Sequence, residues 1–431
     1  CNSRIQKNRS RITDFIPFCA LSEAKGMGIT MKKHTFLKVV SSITLVSLLL
    51  FPAAAYAAET APALDASSIK KYLPEDVKDH EYAATIHDML QSGLVNGYVD
   101  EAGNVTVKPE NNITRAEFVK ILVKALDLDV AANPQEFSDV KPEHWHYDFI
   151  RTASSHGLIN GIGEGQFAPD RNITRAEIAK IVVRAFEQTV PFTGASKQFT
   201  DVPDDWSKPY VEKASQAGIV NGYDDTHFGP NDKATRVQAM LMLQRALHKE
   251  NTTLPDETML KNLVLEMNQK LYEVVTEAVY GSGETGDTVA EEVYGNESEE
   301  ADTNVAEAVY ADYSEIKDIS DEYATGFYHD VLDLSADILT ELSKLGIKIE
   351  QKHVADWTLE VLWKSNRYAA VKVNGDVYDV TVTKDGQSRT HRVDASSTVF
   401  LKKMNDGSWK VYGGEVKQPL PTGHLQPGSQ N

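Results

Sequence analysis

The chain changes its hydrophobic period partway along. In its first part apolar residues recur in short bursts at helical spacing. Phe118, Ile121, Leu122 and Ala125 form one stripe, Ile178, Ile181, Val182 and Ala185 another, and Trp145, Phe149, Ile150 and Ala153 a third, each suited to burying one face of a helix. A longer helical pattern runs from Asp256 to Tyr280 through Leu260, Leu263, Leu265, Met267, Leu271 and Val275. Ser320 is placed to cap a further helix running to Gly346, with Phe327, Val331, Leu334, Ile338, Leu342 and Leu345 on its apolar side. Beyond it the period drops to two. Trp357 to Trp363, Tyr368 to Val373, Val377 to Thr383, Arg389 to Val393, Thr398 to Lys403 and Trp409 to Tyr412 read as strands, several separated by Asn374-Gly375, Asp385-Gly386 and Asp406-Gly407 turns. The pattern predicts a helical part followed by a helix-then-antiparallel-sheet part.

The helical part is written three times. A Gly-apolar-apolar-Asn-Gly turn, a Pro and a Thr-Arg pair recur at Gly93 to Tyr98, Pro109 and Thr114-Arg115; at Gly157 to Ile162, Pro169 and Thr174-Arg175; and at Gly218 to Tyr223, Pro230 and Thr235-Arg236. The prolines are spaced by 60 and then 61 residues, a period that signals an array of supersecondary units. An apolar residue, two polar residues and Val open each unit at Phe137 to Val140 and Phe199 to Val202, with Leu73 to Val77 as a looser first copy. Thr with Glu117, Glu177 or Gln238 three residues on makes a capping box, which explains those residues structurally. Arg115, Arg175 and Arg236 are not explained that way, because a cation in the first turn opposes the helix dipole. Their repetition means either a fixed ion pair, with Asp139 or Asp201 as candidates, or an anion-binding role.

At these residues the chain resembles S-layer homology modules, which bacteria use to hold exported proteins on the cell wall. The resemblance covers residues 73 to 248. It implies an all-α triple module, a pseudo-threefold helical array with ligand grooves between neighbours. The implied partner is a secondary cell-wall polysaccharide attached to peptidoglycan, often carrying a pyruvate ketal, bound without any bond being made or broken. An Arg fork suits a planar ketal carboxylate where Lys offers a point charge. Tyr98, Trp145, Trp206 and Tyr223 then offer flat faces to sugar rings, and Gly97, Gly161 and Gly222 close backbone approach. With Asp139 and Asp201 these complete the expected binding set. The copies differ: Glu81 stands where the others have Trp145 and Trp206, Val107 where they have Phe167 and Phe228, and four extra residues separate Gly97 from Pro109. Ile162 takes the Tyr position in the second unit, and Gln238 replaces the acid in the third. Unequal grooves follow.

Charge and targeting signals agree with that destination. Lys32 and Lys33, the apolar run Val39 to Phe51 and Ala55-Tyr56-Ala57 have the layout of a secretory signal, with a mature start expected at Ala58 and no stable membrane insertion after cleavage. Residues 1 to 30 read as an upstream extension. Both cysteines, Cys1 and Cys19, lie there, so the mature chain is expected to hold without disulfides. The chain's net charge is -19, and losing residues 1–57, with eight Lys/Arg against two Asp/Glu, takes it to -25. Such acidity speaks against nucleic acid as a partner. Residues 281–322 have Lys317 as their only basic residue and read as a solvated linker, with the Glu-Ala-Val-Tyr of 277–280 echoed at Tyr294 and Tyr310.

The expected organisation is repeats over 73–130, 137–190 and 199–250, a helix with acidic linker over 256–322, an α+β domain over 323–414 and a flexible tail over 415–431. The closing strand pair around Val399 to Leu401 and Trp409 to Tyr412 resembles the last hairpin of the nuclear-transport-factor-like cone superfamily, some members of which are enzymes while many only bind. No acid-base constellation stands out; His353 and Asp356 read as surface neighbours. Zinc-protease and nucleophile-elbow motifs are absent, no spaced calcium loop occurs, and no cofactor or metal is called for. Leu420-Pro421-Thr422-Gly423 superficially matches a sortase signal but lacks the intervening residue and an apolar tail. The sequence therefore reads as a non-enzymatic, exported wall anchor. The alternatives are a wall-anchored enzyme or small-ligand binder acting through the C-terminal domain, or a lattice-forming surface-layer subunit.

Overall fold

The computed structural model describes residues 67–284 and 310–415. The expected signal peptide and the extension ahead of it lie outside the described residues, as do the Tyr294 echo and the Leu420 to Gly423 tail.

After a single turn, α1 (Ser67–Lys70), each repeat gives a short helix and a longer one. These are α2 (Ala83–Gln91) and α3 (Arg115–Leu126), α4 (Tyr147–Ser155) and α5 (Arg175–Phe186), and α6 (Lys208–Gln216) and α7 (Arg236–Lys249). Thr114, Thr174 and Thr235 have extended backbone and accept from the N–H of Glu117, Glu177 and Gln238, whose side chains return the bond, so all three capping boxes close. Packing is offset by one repeat. Helix α4 lies on α3, α6 on α5 and α2 on α7, so each short helix covers the long helix of the preceding repeat and the first covers the last.

The backbone closes the same circuit. Ile113 N–H donates to the Ala234 carbonyl (3.0 Å), Ala234 N–H to Ile173 (3.0 Å) and Ile173 N–H to Ile113 (3.1 Å), with all three residues fully buried. A single repeat would leave these groups and its apolar face without partners, so the three stand or fall together.

The all-α expectation requires a correction. The extra residues of the first repeat form a two-stranded antiparallel ribbon, β1 (Tyr98–Val99) with β2 (Val105–Thr106). Trp145 is also misplaced by periodicity: it precedes α4 and is exposed, while Ile150 and Ala153 fill the buried face.

Helix α8 (Glu257–Glu284) follows the repeats, then α9 (Glu315–Tyr323) and α10 (Gly326–Lys344). Helix α9 begins inside the stretch expected to be linker, where Tyr313, Ile316 and Ile319 are buried. The single helix expected from Ser320 to Gly346 is in fact broken. Thr325 N–H donates to the Val411 carbonyl (2.8 Å) instead of continuing a helical ladder, and Gly326 adopts φ +58°.

The strands are β3 (Lys348–His353), β4 (Thr358–Lys364), β5 (Tyr368–Asn374), β6 (Val377–Lys384), β7 (Gln387–Asp394), β8 (Ser397–Lys403) and β9 (Trp409–Gly414). They form antiparallel sheets ordered β3-β6-β7 and β4-β5-β8-β9. Helix α8 packs on β3 and β4, and α10 on β9. His353, read from the sequence as a surface neighbour of Asp356, is instead half-buried. It lies against Trp357 and Tyr378 (ring centroids 4.4 and 4.9 Å), its Nε2 3.1 Å from the Gly375 carbonyl.

The C-terminal domain is fastened to the repeats. Tyr412 donates its hydroxyl to Asp88 (2.5 Å), Gln244 donates to the other Asp88 oxygen, and Gly414 N–H donates to Gln91 Oε1 (3.1 Å). Tyr72 donates to Asp330 (3.0 Å), and Arg367 pairs with the buried Glu250. No helix among the described residues is long and apolar enough to cross a membrane.

Candidate functional site

Each Thr-Arg pair sends its arginine into the next repeat. Arg115 donates Nε to the Phe167 carbonyl (2.9 Å), Nη2 to the Asn160 carbonyl (3.1 Å) and Nη1 to Glu177 (3.1 Å), with its guanidinium 4.4 Å above the Phe167 ring. Arg175 donates Nε to the Phe228 carbonyl (2.7 Å) and lies between the rings of Tyr223 (4.3 Å) and Phe228 (4.7 Å). Arg236 closes the circle on the first repeat, donating to the Val107 carbonyl (2.9 Å), standing 3.5 Å from Glu117 and lying 4.8 Å from the Tyr98 ring. Each arginine is only 5 % exposed. The expectation of freely presented forks is thereby corrected: Nε is committed to a neighbouring carbonyl in every copy, and two of the three guanidinium groups also have a carboxylate partner.

Those carboxylates are not the anticipated ones. Asp139 accepts from the N–H groups of Phe167 (2.9 Å) and Ala168 (2.7 Å), and Asp201 likewise from Phe228 (2.9 Å) and Gly229 (2.7 Å). Asp76 does the same for Val107 and Lys108 in the looser first copy. Each Asp clamps a turn whose second residue is left-handed, Lys108, Ala168 or Gly229, so these carboxylates hold the loop and not the arginine. Gly97, Gly161 and Gly222 are also internally explained. A Cβ would lie 2.4 Å from Val105 at Gly97, 2.5 Å from the Gln166 carbonyl at Gly161 and 2.5 Å from the Phe199 ring at Gly222, so the close approach they permit is to their own chain.

The arginine partners are the capping-box glutamates. Glu177 accepts from Thr174 N–H (2.9 Å), Arg115 (3.1 Å) and Arg171 (2.5 Å). Burial opposes its charge, but these donors hold its carboxyl below the ordinary value. A depressed carboxylate contributes stability in full above its unfolded pKa of about 4.3, and that contribution drains away as pH falls through the lowered native value. Glu177→Gln is therefore expected to flatten the acid limb of a stability–pH curve below about pH 4.3 while destabilising the chain at neutral pH. Urea unfolding at a series of pH values checks it, and an unchanged acid slope would refute the assignment.

The aromatic members of the expected set do face solvent: Trp145 is 55 %, Trp206 48 %, Tyr223 56 % and Tyr98 39 % exposed. Beside them stand two lysines that sequence reasoning passed over. Lys120 on α3 reaches 5.6 Å from the Trp145 ring, and Lys180 on α5 reaches 5.1 Å from Trp206. Their signal was available in the repeat, where Lys120, Lys180 and Leu241 occupy equivalent positions three residues after the box. Three unequal seams result. The first joins Arg236, Tyr98, Lys108 and Glu117 to Lys120 and Trp145, with Tyr98 donating its hydroxyl to Glu117 (3.0 Å) and Lys108 4.8 Å from the Tyr98 ring. The second joins Arg115, Arg171 and Glu177 to Lys180 and Trp206. In the third, Gln238 and Leu241 replace the acid and the lysine, and Arg175 has no carboxylate within ion-pair distance among the described residues.

Comparison with known proteins agrees with the repeat structure. Residues 75–119, 136–179 and 198–240 each match the S-layer homology domain. The chain thus carries three S-layer homology domains in tandem and is a secreted cell-surface protein. It is similar to Exoglucanase XynX of Acetivibrio thermocellus, at 32 % identity over 181 residues covering 41 % of this chain and 16 % of that protein. It is similar also to the Surface-layer 125 kDa protein of Lysinibacillus sphaericus, at 32 % identity over 209 residues, 47 % of this chain and 17 % of the relative. A Cellulosome-anchoring protein of Acetivibrio thermocellus is 32 % identical over 149 residues, 33 % of each chain. The chain thus spans a third or less of the length of these relatives.

Proposed function

We propose that the triple domain is a non-enzymatic anchor that binds an acidic secondary wall polysaccharide, of the pyruvate-ketal type, in the seams between repeats. The domains form a pseudo-threefold array in this reading, each seam built from the arginine of one repeat and the capping box of the next. The observation that carries it is the pairing of an exposed indole with a lysine at two equivalent seams, Trp145 with Lys120 and Trp206 with Lys180. The indole offers a flat apolar face to sugar C–H groups, and the ammonium offers the charge that the buried arginine no longer presents freely. Burial first, then the neighbouring Arg184, lowers the Lys180 ammonium from its ordinary value against the opposing pull of Glu177, and a bound carboxylate would add to that pull. The third seam has neither indole nor lysine, and the first two are expected to dominate.

The test is retention of the purified chain on wall sacculi before and after chemical removal of the secondary polymer. Lys120→Ala with Lys180→Ala is expected to weaken retention by about tenfold or more, the worth of a charge-assisted hydrogen bond, without altering the melting temperature. Binding that survives polymer removal undiminished would reject this ligand. The relatives' names, among them a cellulosome-anchoring and a surface-layer protein, support the anchoring reading.

A further inference from the structure

A cavity of about 370 Å³ opens at the other end of the repeats, where they meet the C-terminal sheet. Helix α5 spans 12 residues between the seams and this end, a rise of about 18 Å, so the two places are distinct. The cavity wall takes Asp127 from the end of α3, Thr189 from beyond α5, Asn366 and Arg367 from the turn before β5, and Lys402 and Lys403 from the end of β8. The lining thus includes three cationic residues and one acidic one, with the buried Glu250 carboxylate behind Arg367, in a chain whose net charge is -19.

The cations are incompletely used. Arg367 commits Nη1 to Glu250, itself 1 % exposed, and its other nitrogens have no hydrogen bond among the described residues. Neither the Lys402 nor the Lys403 ammonium has a hydrogen-bonded partner among the described residues. Burial pushes the Lys402 ammonium below its ordinary value against the opposing pull of Asp127. The Thr189 hydroxyl is buried without a partner, as is Glu250 Oε2. Asn366 is held in place, donating to the Thr252 hydroxyl (2.9 Å) and accepting from Thr253 N–H (2.9 Å), so this part of the wall is preorganised. Unpaired ammonium groups in a partly desolvated, open cavity are stabilised by a ligand that brings an anion.

We propose that this cavity binds an acidic sugar, a saccharide unit bearing a carboxylate or a phosphate. Arg367, Lys402 and Lys403 take the anionic group, and the exposed Thr252, Thr253 and Asn405 of the cavity wall take ring hydroxyls. Such a unit could be free in the medium or part of a wall polymer, and calorimetry on the whole purified chain separates the two. The probes are glucuronate, glucose 1-phosphate, glucose, inorganic phosphate and purified wall polysaccharide.

At least one acidic sugar is expected to bind, with glucose and inorganic phosphate each weaker by about tenfold or more. Lys402→Gln and Lys403→Gln should each weaken that binding by about tenfold. Lys403 is exposed, so its variant keeps the fold and guards against a loss caused by misfolding. Polysaccharide affinity that drops in Lys403→Gln supports the site with the polymer as source. Polysaccharide affinity unmoved while a free acidic sugar still responds to both lysines supports it with a free sugar as source. Absence of heat with both acidic sugars, inorganic phosphate binding as well as they do, or indifference to both lysines would each overturn the proposal. Retention lost only through Lys120 and Lys180 leaves the seams standing independently.

Discussion

Replacing Arg115 by alanine is expected to destabilise the chain by about 3–5 kcal/mol, the cost of leaving two carbonyls without a donor and taking one of two cations from Glu177. The side chain is nearly enclosed, and its loss strands the Phe167 and Asn160 carbonyls, removes a cation from Glu177 and uncovers the Phe167 ring. Arg175→Ala should cost less, about 1–3 kcal/mol, because it strands one carbonyl and loses ring contacts but takes no cation from a carboxylate. Urea unfolding of both variants gives the comparison. Equal losses would mean that Glu177 contributes nothing across the seam, and a loss under about 1 kcal/mol at Arg115 would mean that the repeats are not interlocked as drawn. The arginines are thus foremost the bolts between repeats, and Arg175→Lys, which keeps charge but loses the fork, should cost folding at least as clearly as binding.

This division between holding and binding explains what the sequence revealed. Capping boxes are local, spanning three residues, and Thr114, Thr174 and Thr235 could be read directly. The partners of Arg115 and Arg236 lie 45 to 140 residues away, so the same motif that announced the repeats could not say whom its arginine meets. Asp139 and Asp201 were drawn toward the arginines by charge alone, whereas backbone amides in a left-handed turn claim them. Chemistry suggested flat sugar-facing surfaces at the four aromatics without deciding whether the tryptophans were core, and helical periodicity wrongly put Trp145 on an inward face. Strand β3 escaped notice because Gln351 and His353 occupy inward positions where an apolar alternation was sought. The lysines beside the indoles needed only the three copies laid against each other.

The helix break at Gly326 leads to the second large effect. Gly326 has φ +58°, and a Cβ there would come within 2.3 Å of the Gln91 carbonyl, a backbone atom at the end of α2. Gly326→Ala therefore combines left-handed strain with a forced separation of α10 from the first repeat, and a loss of about 3 kcal/mol or more is expected. Gly386→Ala is the matched control: φ is +74° but the space around it is open, so only the backbone strain of about 1–2 kcal/mol applies. The excess of the first loss over the second measures the junction itself. The contacts nearby make that junction stiff, since Tyr412 on Asp88 and Gly414 on Gln91 tie β9 to the same helix. Hydrogen exchange should accordingly quicken in α2 and β9 of the Gly326 variant and stay unchanged there in the Gly386 variant. Identical losses and identical exchange would show that the C-terminal domain rides loosely on the repeats, and with it the cavity between them would lose its fixed shape.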